Sequence, residues 1–416
     1  MDLSKHHVKD KKTSLAELLF IGLIASLPFF SLRIGLLGVN LPLIFLAAIM
    51  VIVCLDVFIH SKIKVGFSHF DQLIVAYLFL ALFSFIHTDE NLHANFAFTK
   101  SILYFSSFLA VKALLATVSR EKIERALLSG VILGTSLFVI LAIYVLVKKN
   151  LLSNLDFSYY GLTYKVFSGF YSLFGSNDAI KSADIMRNAI GEVFAFYFIV
   201  IFVANIQSRW TKILYVLSNF ILVISMFSRR AFLAIMATIS IGFFRSQNRI
   251  VLLGFIMVVG LGILIFLSTE GTLKGGRLTD FSDASRVSQY ASAMDLLNQK
   301  PLFGHGFGFK LDGKKYIHNF ILSSSVMMGV AGLVFSLAIY FFAVWRYVEG
   351  LLNKSNTPYS FLLIVPIFGM TIGSTVEGIF TPISWIIFAT YEAHRRKVRA
   401  SRPFVQKKQK RLIDEV

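Results

Sequence analysis

A single cysteine, Cys54, stands in the whole 416-residue chain, and it sits inside an apolar run. One thiol excludes an intrachain disulfide framework and a cysteine metal cluster, and its setting fits a lipid-facing or packing residue. Charge is scarce as well. Asp, Glu, Lys and Arg make up 15% of the residues against 56% hydrophobic ones, a balance that excludes an ordinary soluble globular protein. Acids are the scarcest charges, 23 Asp and Glu against 41 Lys and Arg. No repeat unit recurs along the chain, which excludes a solenoid. In the long polar segments no Asp-rich pair or His/Asp cluster has metal-ligand spacing, so no metal centre and no cofactor are expected.

What the chain does have is apolar length. A membrane-spanning helix needs about 20 mostly apolar residues, and about 12 such runs follow one another. They are Leu15 to Leu32, Ile34 to Ile59, Gln72 to Ile86, Phe96 to Val118, Ala126 to Val147, Ala189 to Gln207, Ile213 to Phe227, Ala231 to Phe244, Ile250 to Leu267, Asn319 to Trp345, Tyr359 to Gly373 and Thr375 to Tyr391. The expected fold is all-α, one polytopic membrane domain over 1–416, with the first span a signal anchor. An even number of spans puts both termini on one side. Lys and Arg are in excess in the segments that share a side with the amino terminus, which makes that side cytoplasmic. The basic tail, 392–416, is expected there, attracted to anionic lipid. Lys112, near the end of its span, is expected to snorkel to the interface.

Most outer bases lie in two long outer segments, 148–188 between spans five and six and 268–317 between spans nine and ten. Loops of this length are uncommon unless functional or disordered, and these carry aromatics and glycines, not a disorder composition. The second runs into the next span as GHGFGFKLDGKKYIHNFIL, Gly304 to Leu322. Gly308 to Lys314 reads G-x-x-x-x-G-K, yet Lys315 stands where Ser or Thr would hold magnesium, no strand precedes it, and no ATP is available outside. A phosphate loop is excluded. The stretch reads as a glycine-rich turn system leading to His318 and Asn319, with Asn319 capping a long helix that opens at the outer surface. A second basic feature is the turn Ser228-Arg229-Arg230. The spans on either side are short, so the turn either lies below the surface, where arginines need a cavity or an anion, or is reached by longer helices with both arginines snorkelling.

Three pieces of the carboxyl-terminal half resemble the O-antigen ligase and O-antigen polymerase superfamily of bacterial membrane glycosyltransferases. SRRAFLA resembles its Ser-Arg turn. SRVSQYASAMDLLNQKPLFGHGFG resembles its Arg-containing helix with Pro-Leu-x-Gly-x-Gly, and HNFILSSSVMMGVAGL its His-Asn-x-x-Leu with Gly-x-x-Gly. The amino-terminal half resembles the family only in hydropathy.

The resemblance implies a C-type glycosyltransferase membrane fold in the bacterial inner membrane with its active site facing the periplasm. It implies transfer of a glycan from an undecaprenyl-type polyprenyl diphosphate to a sugar hydroxyl, without metal or nucleic acid. Arg229, Arg230 and Arg187 are expected to bind the diphosphate, since guanidinium groups hold phosphate oxygens in a fork and neutralise growing charge. Arg286 and His318 are the expected catalytic residues, His318 as base or polarising partner for the acceptor hydroxyl. Gly304, His305, Gly306 and Asn319 are expected to shape the loop or touch the acceptor. The acceptor is another lipid-linked repeat unit for a polymerase or the lipid A core for a ligase. Phe320, where ligases often carry an acid after His-Asn, inclines the reading to polymerase. A lipid-linked sugar transporter is the alternative of another class; it would need an acid in mid-helix, for which Glu377 is the best candidate.

Overall fold

The computed structural model describes residues 14–29, 33–34, 39–57, 68–86, 88, 91–148, 179–226, 228–245, 284–310, 317, 319–352, 358–372 and 383–398. Among them the chain is almost wholly helical. A two-residue bridge, β1 (Arg33–Ile34) antiparallel to β2 (Val39–Asn40), closes a turn between the first two helices. The helices are α1 (Leu15–Ser26), α2 (Leu41–Leu55), α3 (His69–Ile86), α4 (Asn91–Thr117), α5 (Arg120–Lys148), α6 (Ala179–Val203), α7 (Arg209–Ser225), α8 (Arg229–Arg245), α9 (Ala284–Gln299), α10 (Phe320–Leu352) and α11 (Ile364–Ile372), followed by α12 at 383–398. Of these, α3, α5 and α10 are long and apolar enough to cross a membrane, and shorter apolar helices accompany them. The expected ninth span, Ile250 to Leu267, lies outside the described residues.

The helices start where the sequence supplies caps. Ser14 and Glu17 form a reciprocal capping box at α1, and Ser208 accepts from the Thr211 amide at α7. The bundle centres on α6, whose run from Ile190 to Ile201 is buried on all sides, as a helix apolar all round must be. Close approach between its helices depends on small residues. A Cβ on Gly130 of α5 would lie 2.7 Å from Ile24 Cβ of α1, and Gly134 faces the Tyr197 hydroxyl of α6, which donates to the Ile24 carbonyl.

One end of the bundle is ionic. Lys122 of α5 pairs with Glu17 of α1, and Glu124 of α5 with Arg120 and, at 2.8 Å, with His394 of α12. Asp71 of α3 pairs with Lys112 of α4 and with Arg396 of α12, while Arg346 and Glu349 of α10 join Arg395. Every one of these positions lies at a helix end read from the sequence as cytoplasmic. Two expectations change here. Lys112 does not snorkel: it is buried and ion-paired with Asp71. The start of the basic tail, up to Val398, continues α12 and docks into the protein, because buried acids are there to meet it.

The helices flanking the Ser-Arg turn are longer than the apolar runs alone suggest. α7 and α8 have 17 residues each, about 26 Å, because Ser208 caps α7 upstream of Trp210 and Thr211. Helix length therefore does not force the turn to lie deep.

The largest difference concerns the expected single span Asn319 to Trp345. Within α10, Gly329 adopts φ 65° and ψ −155°, which is not helical. A Cβ on Gly332 would collide with the Ser324 backbone, although residues that far apart in a straight helix lie about 12 Å from each other. The chain therefore doubles back at Gly329, and a short arm, 320–328, lies against the long arm, 330–352. Contacts along α3 give the direction: Phe70 stacks on Phe342 at 4.7 Å, Tyr77 binds Ser324 at 2.9 Å, and Ser84 donates to the Met327 carbonyl at 2.7 Å. The short arm runs alongside α3 and the long arm runs against it. Phe320 packs 5.8 Å from Tyr77, midway along α3. Asn319 thus opens a re-entrant arm inside the bundle and not a long helix at the outer surface. The three serines 323–325, all buried, are the polar content that an interior arm carries.

Candidate functional site

Two clusters lie away from the ionic end. The first is the Ser-Arg turn. The Ser228 carbonyl accepts from the Phe232 amide and starts α8, so Arg229 and Arg230 form its first turn. Arg230 Nε lies 2.7 Å from Glu192 Oε1 of α6, with both side chains largely buried. Gly191 makes this possible, because a Cβ there would lie 2.6 Å from Ser228 Cβ. Buried unpaired charge is expensive, so the pair needs both members. Glu192 is a mid-helix acid, since α6 begins at Ala179, ten residues before the expected span. Arg187 lies on the same helix, about 7.5 Å along the axis before Glu192. The Ser228 hydroxyl is buried with no hydrogen-bond partner among the described residues. The side chains of Arg187, Arg229 and Arg286 lie outside the described residues; their backbones place them in α6, at the start of α8 and in the first turn of α9.

The second cluster is the glycine-rich loop on the broken helix. Gly304, Gly306 and Gly308 have φ of 70°, 99° and 92°, in the left-handed region that side chains disfavour. These turns let the loop run beside the break in α10, where the short arm leaves carbonyls without helical partners. The His305 amide donates to the Val326 carbonyl at 2.8 Å and the Gly306 amide to that of Met327 at 3.0 Å. The Val330 amide, which opens the long arm, donates to the Pro301 carbonyl at 2.7 Å. Thr88, just past α3, donates to the Phe307 carbonyl. The His305 ring lies 2.9 Å, through Nε2, from the Leu296 carbonyl of α9 and packs on Phe309. It ties the loop to the helix that carries Arg286.

Asn319 caps the short arm, its Oδ1 accepting from the Leu322 amide, and its Nδ2 donates to the Thr371 carbonyl of α11. Helix α11 also packs against α8, so one element touches both the helix begun by the Ser-Arg turn and the arm begun by Asn319. His318 lies outside the described residues; its neighbour Ile317 is buried against α9 and the short arm.

Residues 214–337 match a family model described as O-antigen ligase. The O-antigen ligase and polymerase superfamily is the family this match supports. The matched stretch contains the Ser-Arg turn, α9, the glycine loop and the fold-back of α10, so the two clusters fall largely within one family segment. It supports a membrane glycosyltransferase of the O-antigen ligase or polymerase type, acting with lipid-linked glycans. A comparison with curated proteins gave no match.

Reading the sequence missed the contribution of the amino-terminal half. Tyr77, Ser84 and Thr88 hold the short arm and the loop, and Glu192 holds Arg230. A signal existed: Tyr77 and Ser84, seven positions apart, share one face of the apolar part of α3, and Thr88 continues that spacing just past its end.

Proposed function

We propose that the protein transfers a glycan from a polyprenyl diphosphate to a sugar hydroxyl on the extracytoplasmic face of the bacterial inner membrane, as an O-antigen repeat-unit polymerase. The observation that carries the reading is the family match over 214–337, which spans the Ser-Arg turn and the arm that follows the glycine loop. The donor's diphosphate meets the Arg229-Arg230 turn. Guanidinium nitrogens and the Ser228 hydroxyl hold its oxygens and neutralise the charge that grows as the anomeric C–O bond breaks. Arg187 and Arg286 add to this positive site. His318 takes the proton of the acceptor hydroxyl as its oxygen bonds to the anomeric carbon, and the diphosphate leaves with the bonding electron pair. Positioning and fixed positive charge supply the catalysis, without a metal. Glu192, paired with Arg230, serves to hold that arginine and not to carry coupling protons, which favours the enzyme over a transporter.

The choice of polymerase over ligase follows Phe320. It is fully buried beside Tyr77, so the residue after His-Asn in this chain packs the arm and offers no acid to an acceptor. Deleting the gene and separating the surface glycans by size tests this. A polymerase loss leaves single repeat units on lipid A core, because a separate ligase still works. Bare core with long carrier-linked chains would replace polymerase by ligase, and unchanged glycans on both lipids would end the glycosyltransferase reading for that polysaccharide.

A further inference from the structure

The turn Pro301-Leu302-Phe303 precedes the glycine loop in the segment read as extracytoplasmic. Its two large apolar side chains are not folded into the protein: Leu302 is 68% exposed and Phe303 62%. They do not stand alone. On α3, Phe79, Phe83 and Ile86 are exposed at spacings of four and three, one helical face. On the long arm of α10, Val330 and Val334 are exposed in the same way. The turn joins both stripes: the Phe303 ring lies 6.2 Å from that of Phe83, and the Val330 amide bonds to the Pro301 carbonyl. One continuous apolar surface therefore runs from two membrane-spanning helices onto a loop tip. Apolar surface of this extent marks contact with lipid or a partner.

Depth decides between them. Asp71 and Arg346 belong to the ionic end and flank the apolar runs of α3 and α10 at the ends read from the sequence as cytoplasmic, which sets the zero of depth on both helices. Phe83 stands about 18 Å further along α3, and Val330 about 24 Å further along the long arm, whereas the hydrocarbon core is about 30 Å thick. A helix tilt of about 20° lowers both levels slightly. Two helices thus place the tip inside the outer half of the core.

We propose that the Pro301–Phe303 turn is a lipid anchor, burying Leu302 and Phe303 among the acyl chains of the leaflet opposite the ionic end and so holding the glycine loop and α9 at the membrane surface. A substrate that travels in that leaflet on a polyprenyl tail would then meet the glycine loop and the helix that carries Arg286. That consequence rests on the proposed function; the anchor itself rests only on the membrane reading of the fold. The loop need not close over the substrate from outside. It is fastened from below.

Site-directed spin labelling tests it. The lone thiol is removed as Cys54→Ser, and Leu302→Cys and Phe303→Cys are made separately in the full chain, nitroxide-labelled and placed in phosphatidylethanolamine–phosphatidylglycerol liposomes. Phe79→Cys serves as the lipid reference and Asp295→Cys, exposed on α9, as the aqueous one. Labels at 302 and 303 are expected to collide with oxygen several-fold more than with a water-soluble nickel chelate, as at position 79. The opposite ratio at both positions, as at position 295, overturns the anchor. Labels immobilised and shielded from both reagents would place protein over the turn and overturn it equally. Because the readout is accessibility and not transfer, an inactive or differently acting enzyme leaves the result unchanged.

Discussion

Glu192→Ala is the substitution whose effect the structure allows to be worked out. Glu192 and Arg230 are 4% and 12% exposed and 2.7 Å apart, so removing the carboxylate takes the counter-charge at that distance from a largely buried guanidinium. Breaking a buried pair from one side destabilises by about 3–5 kcal/mol, and the residual exposure of Arg230 argues for the lower end, about 3 kcal/mol. Glu192→Gln keeps the size and an acceptor oxygen and is expected to lose roughly half as much. Arg230→Met strands the carboxylate and should resemble Glu192→Ala. Replacing both by apolar residues, Glu192→Leu with Arg230→Met, removes both charges and should lie within about 1 kcal/mol of the parent. The assay is unfolding of the purified protein in mixed micelles, followed by loss of helical signal, on the parent, the single variants Glu192→Leu and Arg230→Met and their double, with Glu192→Ala and Glu192→Gln measured alongside. A coupling of about 3 kcal/mol or more is expected. Additive single effects, or singles each below about 0.5 kcal/mol, would show that the pair is solvated and the reasoning wrong.

Gly329→Ala places a Cβ at a positive φ and against the Leu302 backbone, so it should destabilise by about 2 kcal/mol or more and abolish transfer; unchanged thermal stability would contradict the fold-back. Arg286→Lys keeps the charge but loses the planar fork, and is expected to lower transfer nearly as far as Arg286→Ala, with full activity of the Lys variant reducing the residue to a general electrostatic role. Chelator should leave transfer by the purified enzyme intact; loss restored by magnesium or manganese would reveal a metal requirement. A topology reporter fused after Asn353 should be cytoplasmic and one after Gly313 extracytoplasmic, and a cytoplasmic Gly313 would end the proposed mechanism.

The helical class was legible because apolar length is a one-dimensional property, and most of the runs read from it became helices. Helix ends were not, because caps decide them: Ser208 extends α7 upstream of its apolar run, and buried acids draw α12 on to Val398. The fate of Lys112 depended on Asp71, a residue 41 positions away that the chain brings to it only once folded. Hydropathy treats such a lysine as an isolated charge, and for an isolated charge snorkelling is the cheap solution. A partner changes the answer.

The glycine loop shows a deeper reason why the site was only half readable. Its glycines were legible as turns, and His305 as loop structure or acceptor contact, because both follow from local chemistry. What those turns serve was not legible, since the loop's amide donors are matched to carbonyls that exist only because α10 breaks at Gly329. A run from Asn319 to Trp345 is apolar enough for one span, and hydropathy has no term for direction. Yet Val330 to Leu352 already measures about 34 Å, enough to cross the core alone. The residues before Gly329 were therefore surplus to a span. Surplus helix rich in serine, bounded by a glycine and preceded by His-Asn, has to be accommodated somewhere, and the bundle interior accepts it because Tyr77 and Ser84 meet the arm and the loop covers its exposed carbonyls. Broken helices at membrane depth are tolerated only where protein or an aqueous cavity satisfies the backbone. In this chain the loop, α3 and the arm satisfy one another, which is why the part of the sequence that resembles an enzyme cannot be positioned without the half that resembles it only in hydropathy.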